Sequence, residues 1–313
     1  HPVAHSFPTR RSSDLVKRNT SGDWSSPVVI DQSSVEVGRN PSIALTSTGL
    51  PGISYYDATN GDLRYAAYNG SSWTTEAAIS LNTVGLYSSL QYNASNQPCI
   101  AYYKSTGGYA CYATKPSTWS AYVIDAEDAV GRYIDLKPNP NGGYAWAVAY
   151  SDTGDGGLKY AEGDTSSWTA VQVETLSQEG AYISLAFDGS NDPAISYYDC
   201  YNADLRYAVR PDASWSASAV VTHLYSGRYT TLFFDSNDDP NIVYHKTNSS
   251  STLFQVQWAQ DDGDGWDFEI LTTQGGQEAK AAVNSSGDLV YTWYHQDDGG
   301  LQVIDRAKPH LAG

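Results

Sequence analysis

Residues 180–222 read GAYISLAFDGSNDPAISYYDCYNADLRYAVRPDASWSASAVVT, and this stretch decides the fold. Four short runs stand out: YISLAFD, PAISYYD, DLRYAVR and SWSASAVV. Each alternates apolar and polar residues and is rich in β-branched and aromatic side chains, the pattern of a strand. The joints Gly-Ser-Asn-Asp-Pro and Tyr-Asn-Ala-Asp are turn chemistry, because Gly and Asn accept left-handed backbone and Pro presets φ. The stretch predicts one antiparallel sheet of four strands.

Outward from it, the unit recurs. A glycine opens each copy at Gly38, Gly85, Gly131, Gly180, Gly227 and Gly276, at spacings of 47, 46, 49, 47 and 49 residues. A period of this size is the signature of a propeller or a solenoid. The second strands read PGISYYD, PCIAYYK, YAWAVAYS, PAISYYD, PNIVYHK and LVYTWYH. The fourth begins at Trp73, Trp119, Trp168, Trp215 or Trp266, and the sixth copy ends after LQVIDRA without a tryptophan. A matching run, DWSSPVVID with Trp24, precedes the first copy. The sequence thus predicts an all-β chain: a six-bladed β-propeller of four-stranded antiparallel blades, closed by the N-terminal strand completing the last blade. Closure removes free sheet edges that invite aggregation. The tryptophans, one per blade, are assigned to packing between neighbouring blades. The Tyr pairs of the second strands are assigned to buried faces, where their hydroxyls need partners.

A net charge of −17 excludes nucleic acid and anionic membrane surfaces as expected partners. No apolar run is long enough for a membrane-spanning helix, so no membrane insertion is expected. The 25 Tyr and 9 Trp against 6 Phe favour aromatics with a polar handle, suited to sheets, interfaces or sugar faces. Three cysteines without a CxxC or a Cys/His cluster give no reason to expect a metal, and no cofactor is called for. Cys99 and Cys111 fall on consecutive strands of one hairpin, as a disulfide or as two small buried thiols. Ser6 to Leu15, SFPTRRSSDL, is similar to the in-frame translation of a sequencing-library adapter. Residues 1–15 are therefore set aside as a non-native segment, and 16–313 are read as a single propeller.

The pattern G-x-Y-x-S-L-A-x-D, P-x-I-S-Y-Y-D, D-L-R-Y-A and a following Trp resembles the blades of secreted bacterial propellers. It looks most like the fucose-specific-lectin-like six-bladed group, from Asp23 to about Ala307. The resemblance implies a secreted or cell-surface protein that binds carbohydrate. Sugar sites of that family use an Arg in the second strand, a Glu in the third and an aromatic from the next blade. Here the second-strand position holds Ser54, Ala101 or Ser196, and no Glu follows in DLRYA, so fucose chemistry is not carried over. Sialidases share the architecture and commonly carry S-x-D-x-G-x-T-W turns. SSGDLVYTW only approximates one, with the wrong spacing.

Candidate ligand residues gather where loops surround a propeller's channel mouth. The residue after each opening glycine is Arg39, Leu86, Arg132, Ala181, Arg228 or Gln277, so arginine alternates. Tyr87, Tyr133, Tyr182 and Tyr229 follow, and other loops of that face bring Asp57, Asp152, Asp199, Lys104, Lys246 and His295. Arg39, Arg132, Arg228, Tyr133, Tyr229, Asp57 and Asp199 are the candidate ligand-binding set, since a guanidinium fork fits a carboxylate or sulfate. Alternatively the arginines pin loops by pairing with carboxylates such as Asp57 or Asp199, or their alternation is the trace of a two-blade duplication. The turn from Asp57 to Asp62, DATNGD, fits either calcium or an ordinary hairpin.

No catalytic residue is legible. Glycoside hydrolysis needs two carboxyls at a set separation, and His223, His245 and His295 have no motif around them. The sequence points to a non-catalytic binding or adhesion propeller for carbohydrate or cell-surface glycan. The alternatives are a sialidase-like glycoside hydrolase clamping a carboxylate with Arg39, Arg132 and Arg228, and a structural protein–protein module.

Overall fold

The computed structural model describes residues 2–5, 13–17, 25–165, 167–222, 225–250, 253–273, 275, 277–283, 289–295 and 300–306. Every regular element among them is a strand. β1 (Pro2–His5), β2 (Ser13–Lys17) and β3 (Val28–Asp31) form a three-stranded sheet. β4 (Val37–Leu45), β5 (Pro51–Asp57), β6 (Asp62–Tyr68) and β7 (Trp73–Ile79) form the first four-stranded blade. The second is β8 (Val84–Tyr92), β9 (Pro98–Lys104), β10 (Tyr109–Thr114) and β11 (Ser120–Asp125). The third is β12 (Val130–Pro138), β13 (Trp146–Asp152), β14 (Gly157–Gly163) and β15 (Trp168–Thr175). The fourth is β16 (Gly180–Phe187), β17 (Pro193–Asp199), β18 (Asp204–Val209) and β19 (Ser216–Val221). The fifth is β20 (Ser226–Phe234), β21 (Pro240–Thr247), β22 (Phe254–Asp261) and β23 (Trp266–Thr272). β24 (Gln277–Val283), β25 (Leu289–His295) and β26 (Gly300–Arg306) make a last sheet of three. The chain divides into two compact units, residues 1–154 with 160–171, and residues 155–159 with 172–313.

Strand order follows chain order in every blade, as consecutive hairpins require. Second strands are buried on both faces: all seven residues of β17 and of β13 are buried. Fourth strands are largely open, as in β15. That gradient explains why PAISYYD-type runs are almost continuously apolar while the outer runs alternate.

Blades associate through a repeated polar contact on their first strands. The hydroxyls of Ser42, Ser89 and Ser184 accept from the backbone N–H groups of Leu90, Leu136 and Leu232, each at 3.0 Å. The tryptophans pack across the same seams, as expected. Trp119 meets Tyr65 edge-on at 5.4 Å, Trp168 lies 5.5 Å from Tyr112, and Trp266 meets Tyr207 at 5.4 Å. Trp24 and Gly276 lie outside the described residues.

Val28–Asp31, the strand assigned to the closing blade, pairs with β2 in the register Asp14↔Val29 and Leu15↔Val28. A partner a short loop upstream costs little closure entropy, and SDLVK offers the necessary alternation. Leu15, within the segment set aside, packs in a core cluster with Ile30, Val37, Ile53, Tyr55 and Ala66. Of the two alternatives for Cys99 and Cys111, the structure has the pair of small buried thiols, both free. Cys99 lies opposite Thr114 and Cys111 opposite Tyr102, an odd offset that sends the thiols to opposite faces of the blade. They belong to different core clusters and cannot bond.

Candidate ligand-binding site

Each first strand carries the same irregularity shortly after its opening glycine. The ladder register breaks between Arg39 and Ser42, Leu86 and Ser89, Arg132 and Asp135, Ala181 and Ser184, Arg228 and Thr231, and Gln277 and Lys280. Within each break one non-glycine residue is left-handed: Asn40 (φ 49), Tyr87 (54), Tyr133 (52), Tyr182 (53), Tyr229 (54) and Glu278 (55). Such a conformation costs about 1–3 kcal/mol for a side chain of this kind, and a bulge re-aims the residue it carries. The glycine ahead of the break is also constrained. At Gly227 (φ +113) a Cβ would come within 2.8 Å of the Leu205 Cα on the preceding blade.

The re-aimed tyrosines meet in pairs. In the first unit the Tyr87 and Tyr133 rings lie 4.6 Å apart, and Tyr87 lies 6.4 Å from Tyr103. The Arg132 guanidinium sits over the Tyr103 ring at 5.6 Å. In the second unit Tyr182 and Tyr229 lie 4.4 Å apart, Tyr182 and Tyr198 6.2 Å, and Arg228 sits 5.4 Å over Tyr198. The same four-residue cluster is therefore built twice. An even-numbered blade supplies two tyrosines, and the next blade supplies the Arg-Tyr dipeptide. Tyr103 and Tyr198 are buried, whereas Tyr87, Tyr133, Tyr182, Tyr229 and both arginines are half-buried.

The second cluster differs from the first at one position. Opposite Arg132 in register stands Ser151, whose hydroxyl donates to the Arg132 carbonyl oxygen at 3.1 Å. Opposite Arg228 stands His245, 2% exposed and stacked on Phe254 at 6.0 Å. Burial, with the Arg228 charge beside it, lowers the His245 pKa to about 4, so its ring is neutral near pH 7. Burial also works against the Arg228 charge, but the Tyr198 and Tyr182 phenols outweigh it and hold the guanidinium protonated. Burial, then Tyr182 and Glu278, raises the Tyr229 phenol.

The other candidates are placed elsewhere. Arg39 is exposed and pairs with Glu36 at 2.6 Å, so in its neighbourhood the loop-pinning alternative holds. Asp57 and Asp199 are fully buried turn anchors. Asp57 accepts from the Ser34 hydroxyl at 2.7 Å, the Thr59 N–H at 3.0 Å and the Asn60 amide at 2.8 Å. Asp199 accepts from the Tyr201 N–H at 2.9 Å and the Asn202 amide at 2.7 Å. Their oxygens close hairpins, that of DATNGD among them, and neither carboxylate is exposed. The side chain of His295 lies outside the described residues.

A tyrosine–carboxylate pair recurs deeper in the blades. Tyr197 donates to Glu174, which also receives Arg206. Tyr55 donates to Asp31, which receives Arg64 at 2.8 Å, and Tyr150 donates to Asp125 at 2.8 Å. All three tyrosines are 0% exposed. Burial and the neighbouring carboxylate raise each phenol, the direction opposite to an activated nucleophile. A sealed pair repeated in three blades satisfies buried hydroxyls.

No protein-family model and no curated protein matches the chain. Solved structures do. A fucose-specific lectin from Aleuria aurantia is similar at 14% identity and a TM-score of 0.56, covering 86% of this chain and 91% of the lectin. A second structure of the Aleuria aurantia lectin, described as a six-bladed β-propeller, gives 16% identity and a TM-score of 0.53, covering 84% and 88%. The chain is a six-bladed β-propeller. An intramolecular trans-sialidase from Ruminococcus gnavus shares the propeller's fold at 9% identity and a TM-score of 0.54, covering 86% and 93%. At these identities the likeness is one of fold.

Proposed function

We propose that this propeller is a non-catalytic carbohydrate-binding protein. In this reading sugar rings pack on the Tyr87–Tyr133 and Tyr182–Tyr229 pairs, and Arg132 and Arg228 donate to sugar oxygens. The observation that carries it is the duplicated cluster, with a left-handed tyrosine aimed by a bulge in each of its two first strands. Every first strand carries this left-handed bulge, and only in these two clusters does it aim half-buried tyrosines beside an arginine held over a ring, which suits a pre-organised binding surface. Aromatic faces with polar rims suit sugars, which present C–H faces and hydroxyl edges. Two equivalent sites would bind a multivalent glycan surface by avidity. The lectins among the fold neighbours agree with this reading, and the sealed tyrosine–carboxylate pairs speak against the sialidase alternative.

A glycan array probed with the wild-type chain and with R132A/R228A tests the proposal. Wild-type signal that falls at least tenfold in the double variant, with melting temperature retained, supports it. A blank wild-type array, or signal indifferent to both substitutions, overturns it.

A further inference from the structure

The two clusters differ in how their polar atoms are satisfied. In the second unit, the buried atoms without a hydrogen-bond partner include Arg228 Nε, both ring nitrogens of His245, and Ser196 Oγ. These three residues belong to one neighbourhood. Arg228 and His245 are register partners on β20 and β21. Ser196 and Tyr198 share a face of β17, and the Arg228 guanidinium lies over Tyr198. Thr230, on the same strand as Arg228, donates to the Ser196 carbonyl at 3.2 Å.

Orphaned polar atoms that deep normally mark an occupant, since an unmade buried hydrogen bond costs about 1–3 kcal/mol. The chemistry of the set selects its type. Arg228 has no carboxylate partner among the described residues, and the groups acting on its charge are the Tyr198, Tyr182 and Tyr229 phenols. Glu278 acts on Tyr229 rather than on Arg228. Three other arginines differ: Arg206 is paired with Glu174, Arg64 with Asp31 and Arg39 with Glu36. A half-buried cation without a counter-ion, flanked by a histidine N–H and a serine hydroxyl, is an anion seat. The planar guanidinium fork fits a carboxylate in particular.

We propose that Arg228, His245 and Ser196 seat the carboxylate of an acidic sugar whose ring packs on Tyr182 and Tyr229. The proposal rests on the carbohydrate reading above and adds the ligand's charge. It also separates the two clusters. The first has Ser151 where the second has His245, and the Ser151 hydroxyl is committed to the backbone. The acidic sugar therefore belongs to the second cluster alone.

Calorimetric titration of the full chain with D-glucuronate and with D-glucose tests this. Glucuronate is expected to bind more tightly than glucose. R228A should weaken glucuronate at least about tenfold, the equivalent of one charge-assisted hydrogen bond. H245Q should weaken it several-fold with glucose unchanged, and R39A, outside both clusters, should leave glucuronate affinity as it is. Ring-nitrogen NMR shifts of His245 in the wild type should move on adding glucuronate, which keeps the test independent of variant folding. If both sugars bind equally and both respond to the cluster substitutions, the carboxylate seat is overturned and the carbohydrate reading stands. If neither sugar binds and the His245 signals stay still, both fall together.

Discussion

The Arg228 guanidinium lies 5.4 Å over the Tyr198 ring, one blade back in the chain, and Arg132 lies 5.6 Å over Tyr103 in the same way. The face of an aromatic ring attracts a guanidinium through its quadrupole. Arg39, the third arginine of the alternating series, is held by Glu36 instead. The first blade also carries Asn40 where the other two place tyrosine.

Deeper in the blade, Glu174 joins Tyr197 and Arg206, and the three should not contribute equally. Glu174→Ala leaves the Arg206 charge, 16% exposed, without its partner and should destabilise the fold by about 3 kcal/mol. Tyr197→Phe leaves the Glu174–Arg206 pair intact and should cost about 1 kcal/mol. Denaturant titration of the two variants gives the comparison. Equal losses would show that the ion pair contributes nothing beyond the phenol's hydrogen bond.

Stability should fall in acid in two stages. His245 is lowered by burial and by Arg228 to about 4, below its unfolded value of 6.5. The unfolded chain therefore binds the extra proton between these values. Stability present above pH 6.5 is lost progressively down to about pH 4, by up to roughly 3 kcal/mol. Burial raises the Asp31 and Asp57 carboxyls, but hydrogen bonds outweigh it and leave both below their usual value. Their contribution is present above the unfolded carboxylate value and is lost only as pH falls further. Unfolding curves from pH 8 to pH 3 should show both stages in the wild type and only the second in His245→Phe. A wild-type curve flat from pH 6.5 to pH 4.5 would contradict the burial of a neutral imidazole.

The cysteines should behave as three inert thiols. Cys99 and Cys111 are buried, and burial pushes the Cys111 thiol up to about 11. Burial, then Glu179 and Asp199, pushes Cys200 up to about 12. Thiol reagent at pH 8 should label the native chain slowly and all three cysteines after denaturation, and a reductant should not change the melting temperature. Rapid labelling of the native chain, or fewer than three thiols after denaturation, would contradict the assignment.

The alternation of Arg39, Arg132 and Arg228 was legible in the sequence, and so were the opening glycines, four of which, Gly38, Gly85, Gly131 and Gly227, take a positive φ that favours glycine. Ser42, Ser89 and Ser184 were equally visible before their apolar neighbours, yet nothing local says that each caps a backbone N–H 47 or 48 residues later. Asp57 and Asp199 were ambiguous because an acid at a strand end looks the same whether it meets a ligand or closes its own turn. Tyr103 and Tyr198 were hidden inside Tyr-Tyr pairs whose two members face opposite sides of the sheet. The Cys99–Cys111 alternatives depended on a register that proximity in the sequence does not reveal. His245 stood without motif context because its distinction, two unpartnered nitrogens, exists only once neighbouring strands are in place.

The most direct test of the account counts binding sites. Calorimetric titration with the neutral sugar that gives the strongest array signal should return two equivalents for the wild type. R132A and R228A should each return about one, and R132A/R228A none, with unchanged melting temperatures. A stoichiometry that the arginine substitutions leave unaltered would move recognition away from these clusters and contradict the central claim.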